Sequence, residues 1–109
     1  MAYSEALALR IRQAVAGRRG ITEKKMFGGV GFLLNGNMLV GVWKQSMIVR
    51  LGPEPAAAAL QEPYVVEFDI TGRPMKGWVM LQPEGLENDG QLNLWIERSL
   101  KFVRKLPKK

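Results

Sequence analysis

Three sets of residues in this 109-residue chain have types and spacings that bear on chemistry. Glu67 and Asp69, two positions apart, would share one face of a strand. Paired carboxylates bind a hard cation when further oxygen ligands join them. None is near in sequence, so the pair reads as a solvated face. Arg73 and Lys76 flank a turn in GRPMKGW. A guanidinium and an ammonium so placed can hold a phosphate or a carboxylate of a partner. The third set is cationic: Arg10, Arg12, Arg18 and Arg19 in the first segment, Arg98, Lys101, Arg104 and Lys105 in the final one. If the terminal helices pack side by side, these eight form one patch for the phosphates of a nucleic acid.

Charge is distributed unevenly. Residues 1–25 carry six basic and two acidic side chains, net +4, and residues 98–109 carry six basic and none acidic, net +6. The middle has four basic and eight acidic, net −4, which leaves +6 in all. Such asymmetry marks an acidic-partner or nucleic-acid surface, or simply solubilises terminal helices. The missing residue types narrow the chemistry further. There is no histidine and no cysteine. A histidine–serine couple, a histidine-ligated metal and a thiolate nucleophile are therefore excluded within the chain. The expectation is a binding or regulatory module with no catalytic residue, no metal and no cofactor. The lack of cysteine fits a cytoplasmic location, and no apolar run approaches the ~18 residues of a membrane span.

The stretch KKMFGGVGFLLNGNMLVGV, residues 24–42, is glycine-rich. A dinucleotide loop needs G-x-G-x-x-G, and here Gly29 and Gly31 are followed by Leu34 in the third place. A phosphate loop needs lysine and a hydroxyl after its last glycine, and Gly36 is followed by Asn37 and Met38. The residues after Gly36 are strand-like, so no helix N-terminus faces an anion. Gly28 and Gly29 read as a bend, and Gly31 and Gly41 as points of close packing across a sheet.

The elements that would position these residues emerge from period and punctuation. Ser4 caps a first helix with Leu7, Ile11 and Val15 on its apolar face. Three or four strands come next as a meander, with Asn35-Gly36 as a hairpin turn. Alternation puts Met38, Val40 and Val42 on one side of the second hairpin strand and Leu39, Gly41 and Trp43 on the other. Pro53 starts a short helix. YVVEFDI and MKGWVML read as strands, and a last helix buries Leu92, Trp95, Ile96, Ser99, Leu100 and Val103. Trp43, Trp78 and Trp95 each sit in an apolar pattern and read as core. The whole is one α+β domain over residues 1–109, with a mainly antiparallel sheet and terminal helices.

Taken together, KMFGGVGFLLNGNMLVGV, IVRLG and GRPMKGWV, with a tryptophan-bearing last helix after them, resemble the N-terminal domain of the TfoX/Sxy proteins. The resemblance runs over roughly residues 5–104. It implies an α-β(3)-α-β(2)-α order like that of type III secretion chaperones. It also implies a bacterial cytosolic protein that regulates transcription, in the family setting competence genes, through protein partners. Full-length members carry a second, helical domain, so a stand-alone N-terminal-type domain is expected here. Met26, Phe27, Gly28 and Gly29, and Gly72, Pro74, Met75, Gly77 and Trp78, match the family's motifs and are read as structural. The expected function is a non-enzymatic regulator or adaptor with a protein partner. The alternative is a weak nucleic-acid-binding protein using the basic terminal helices, and an enzyme is the third reading.

Overall fold

A computed structural model of the chain describes residues 3–26, 28–69 and 75–108. Phe27, Gly72, Arg73 and Pro74, which belong to the motifs, lie outside the described residues. Helix α1 spans Glu5–Ala14. It starts where Ser4 Oγ accepts the Leu7 N–H at 3.1 Å, with Glu5 complementing the positive end of the helix. Four strands come next: β1 (Ile21–Met26), β2 (Gly29–Leu34), β3 (Asn37–Trp43) and β4 (Ser46–Arg50). Helix α2 (Pro53–Ala59), β5 (Val65–Glu67), β6 (Trp78–Leu81), a 3₁₀ turn (Pro83–Leu86) and helix α3 (Asp89–Val103) complete the order. The fold is α+β, as expected, with the meander extended to four strands by the edge strand β1. The two later strands are shorter than YVVEFDI and MKGWVML suggested.

All pairings between these strands are antiparallel, and the strand order is β1-β2-β3-β4-β6-β5. The β2–β3 turn is the anticipated one: Asn35 (φ 52°) and Gly36 (φ 85°) both adopt positive φ, as a tight hairpin requires. Helices α1, α2 and α3 pack on one face of the sheet. There Phe32, Val40, Met47, Val49 and Val79 are fully buried against Ile11, Leu92 and Ile96. Helix α3 is held at its start by a capping box, with Asn88 Oδ1 accepting from Gln91 N at 2.8 Å and Gln91 Oε1 from Asn88 N at 3.2 Å. That cap is worth about 1 kcal/mol. Helix α3 buries the six residues that its spacing predicted.

Strict alternation fails in β3. Phe32 pairs with Val40, but Leu33 pairs with Met38, so Leu39 is an extra residue in a β-bulge. The bulge turns Leu39 into the helix-side core and leaves Met38 on the same face as Gly41. This corrects the assignment of Met38 to the side of Val40 and Val42. The carbonyl of Leu39 accepts a hydrogen bond from Ser99 Oγ at 2.9 Å in the buried interior. Asn37, also buried, donates from Nδ2 to the Pro107 carbonyl at 2.9 Å. Both bonds tie β3 to the α3 end of the molecule.

Candidate functional site

The opposite, open face of the sheet is also apolar. Ile48 and Phe68 are 3% and 2% exposed, yet neither belongs to the core beneath the helices. Ile48 is the middle of β4, and its neighbours Met47 and Val49 face the helices. With Met26, Met38, Met75 and Trp78, these two residues line a groove of about 210 Å³. Met80, the ladder partner of Ile48, continues this surface toward β5.

The floor is made low by glycine. A methyl built on Gly31 would stand 2.8 Å from Met38 Sδ and 3.0 Å from Met26 Cε. One on Gly41 would stand 2.8 Å from Met38 Cε. The two thioether side chains therefore lie in the space that side chains at 31 and 41 would fill. Phe68 and Trp78 close the far end, with ring centroids 5.9 Å apart and planes tilted by 51°. This corrects the placing of all three tryptophans in the core. Trp95 lies there, whereas Trp43 and Trp78 are half-buried on the open face.

The groove brings together two stretches far apart in sequence. Met26 comes from KMFGG, and Met75 and Trp78 come from GRPMKGW. No lining residue titrates or can act as a nucleophile. What the site can do is receive apolar side chains, and methionine's flexible, polarisable stem lets such a surface adapt to several shapes.

Cations divide between the two sides. On the helix side, Arg12 forms a two-point ion pair with Glu23 (2.6 and 2.8 Å), and Arg98 one with Glu62 (3.0 and 2.7 Å). Arg10 meets Asp89 at 3.2 Å, and Arg18 bonds Glu97. The hydrogen bonds from Arg12 and Arg98 hold the Glu23 and Glu62 carboxyls below the ordinary glutamate range. Helices α1 and α3 do contact each other, and four of the eight predicted cations face carboxylates: Arg10 and Arg18 across to the α3 segment, Arg12 to β1 and Arg98 to the loop after α2. Arg19, Lys101, Arg104 and Lys105 take part in none of the ion pairs among the described residues. Lys101 and Lys105 join Arg98 around a cleft floored by Leu51 and Phe102.

At the end of β4, Arg50 sits between the two sides, 5.3 Å from the ring centre of Trp78 on the open face and 5.6 Å from that of Phe102 on α3. It makes no side-chain hydrogen bond among the described residues. Its position had no signal in the sequence beyond a charge at the end of an apolar strand. Lys44 stacks likewise on Trp43 at 4.6 Å. Lys76, in the turn before β6, lines a small cleft beside α2 together with Glu67, Met75 and Trp78. Glu67 closes β5, and Asp69 falls beyond it. Among the described residues no three carboxylates gather as a metal site would require. The glycine-rich stretch forms β2, β3 and their turns, so its backbone N–H groups are engaged in the ladder rather than in a phosphate cradle.

No helix among the described residues is long and apolar enough to cross a membrane. A family model described as the TfoX N-terminal domain matches residues 13–103, nearly the whole chain. No curated protein and no solved structure gives a match.

Proposed function

The chain belongs to the TfoX N-terminal domain family, and on that premise we propose that it is a non-enzymatic adaptor that binds a protein partner through the open face of its sheet. One observation carries the reading: the two motif segments of the family converge on a single apolar groove with adaptable methionine walls. Gly29 of the first motif has a structural part as well, since a side chain there would meet the backbone of β3, whereas Met26, Met75 and Trp78 supply the lining of the groove. A regulatory protein of the cytoplasm, acting on transcription through its partners, is the setting in which such a surface works.

The experiment is affinity capture from the native cytosol with three baits. Met75 is half-buried in a turn, so Met75→Glu puts a charge into the groove with little strain on the sheet. Lys101→Glu/Lys105→Glu changes the helix side instead. The partner is captured by wild type and by the lysine variant and lost with Met75→Glu, all three giving the same circular dichroism. Capture that ignores Met75→Glu refutes the reading.

A second reading is weak nucleic-acid binding. It is favoured by the cleft around Lys101 and Lys105, which has no acidic residue in its lining.

A further inference from the structure

We infer that the groove receives an amphipathic helix of a partner protein, whose apolar side chains enter among the methionines and whose carboxylate meets Arg50. The inference rests on the adaptor reading and names the chemistry of the partner.

The form of the occupant is dictated by the backbone. The groove crosses the sheet from β1 to β6; the strands between its ends are paired on both sides, and the free edge of β1 points outward in the plane of the sheet, away from the groove. It therefore offers an incoming chain no main-chain hydrogen bonds. A segment laid there must satisfy its own backbone, as a helix does and an extended peptide does not. From β1 to β6 the sheet advances by four strand spacings, ~19 Å. A helix of about 13 residues spans that distance, so two or three side chains at i, i+3/i+4 and i+7 reach the floor.

The sign of the occupant is dictated by the cations. The four ion pairs among the described residues all lie with the helices. Arg50, by contrast, is held by two aromatic rings and by no carboxylate among the described residues. A guanidinium beside aromatic rings commits none of its N–H donors to a carboxylate, which leaves it suited to a two-point carboxylate contact. Lys24 stands opposite Gly31 on β1. Its neighbour Glu23 turns to Arg12 on the helix side, so Lys24 shares the open face with Met26. Two acidic residues flank the lining residue Phe68 in sequence, Glu67 and Asp69, and Glu67 faces the cleft with Lys76. A second copy of this chain is the wrong occupant. Face to face, two chains of net charge +6 would oppose Arg50 and Lys24 to themselves.

The test uses the full chain with ¹³C-labelled methionine methyls and four capped peptides of about 14 residues. Each has leucine and phenylalanine at i, i+3, i+4 and i+7, with glutamate, glutamine or lysine on the polar positions; in the fourth, glutamate is kept and serine replaces the apolar set. The acidic peptide shifts the methyls of Met26, Met38 and Met75 and leaves Met47, buried in the core, unmoved. The glutamine peptide binds the same methyls about tenfold more weakly, the scale of one charge-assisted pair at a half-buried site. Arg50→Gln weakens the acidic peptide about tenfold and leaves the glutamine peptide unchanged. Arg50→Lys, which keeps the charge and loses the fork, weakens it about threefold. Equal binding of the lysine and glutamate peptides, or an Arg50→Gln loss common to both the acidic and glutamine peptides, overturns the acidic recognition while the groove reading stands. Methyl shifts that appear on concentrating the protein alone overturn it in favour of self-association. Silence with all four peptides, while Met75→Glu still abolishes capture, overturns the helical form and spares the adaptor. Silence together with capture that ignores Met75→Glu overturns both.

Discussion

Three glycines of the sheet differ sharply in what a methyl group would meet, and a single substitution series measures that difference. At Gly29 a Cβ would stand 2.0 Å from the carbonyl oxygen of Val42. That atom belongs to the backbone of β3, so relief requires β2 and β3 to part by more than about 1 Å at the Val30–Val42 pair. Overpacking of this kind costs about 1–3 kcal/mol, and each strained ladder bond adds about 1 kcal/mol. Gly29→Ala is therefore expected to destabilise by roughly 3–5 kcal/mol, a fall in melting temperature of about 12–20 °C. At Gly31 the same methyl meets only the far ends of Met38 and Met26 at 2.8 and 3.0 Å. Those tips swing aside, and the strand gains from losing a glycine, so stability stays within about 1 kcal/mol of wild type. Gly41 falls between, because Val30 O at 2.9 Å joins the Met38 tip at 2.8 Å. Thermal unfolding followed by circular dichroism gives the order Gly29→Ala far below Gly41→Ala, and Gly41→Ala below Gly31→Ala. A Gly29→Ala melt within ~3 °C of wild type, or a collapse of Gly31→Ala, refutes this account of the groove floor.

Ser99→Ala removes the only side-chain bond described for the Leu39 carbonyl, at a fully buried site. A loss of about 1–3 kcal/mol in urea titration, with an unchanged slope, is expected. Glu23 and Glu62 have lowered folded values, so their contribution is present above the ordinary glutamate value of 4.5 and is lost as pH falls through the lowered ones. Glu23→Gln/Glu62→Gln flattens that acid limb by roughly 0.5 kcal/mol or less per pair, because both sites are solvent-screened, and a pH series of melting temperatures measures it. If Arg19, Lys101, Arg104 and Lys105 engage four phosphates, fluorescence anisotropy with duplex DNA gives a log–log salt slope near −3.6 that shrinks with Lys101→Glu/Lys105→Glu, an estimate of about 0.9 per phosphate. No binding at ~150 mM salt removes the nucleic-acid reading.

The sequence announced the fold through features that act locally. Ser4, Asn88 and the Asn35-Gly36 pair do their work with residues three or fewer positions away, so type and spacing suffice. The stripe of α3 was equally plain, because 3.6-residue periodicity survives whatever the helix packs against. The groove was not legible, for three physical reasons. The bulge at Leu39 is a property of two strands together, and it moved Met38 to the face opposite the one alternation gave. Trp43 and Trp78 lie in apolar runs, but an apolar run does not say which side of a sheet is covered. Most of all, SMIVR is apolar at every central position, and that pattern is the mark of a strand buried on both faces. The ion pairs were hidden for a related reason: Arg18 and Glu97 are 79 residues apart, and only the packing of α1 on α3 makes them neighbours.

The sheet with two apolar faces has a consequence for biosynthesis. Strands β1 to β6 leave the ribosome before α3, the helix that covers β3 and β4. At about 5–20 residues per second, translation of Gln82 to Val103 occupies roughly 1–4 s. During that interval Val40, Val42, Met47 and Val49 have no α3 to bury them, and Ile48 and Met38 lie on the opposite face of the sheet, as they do in the finished protein. The nascent chain is then at its most adhesive, with the bond from Ser99 to Leu39 not yet available to register the helix on the bulge. Closure by α3 is thus the step that buries the helix-side face of the sheet and leaves the other face as the remaining apolar surface.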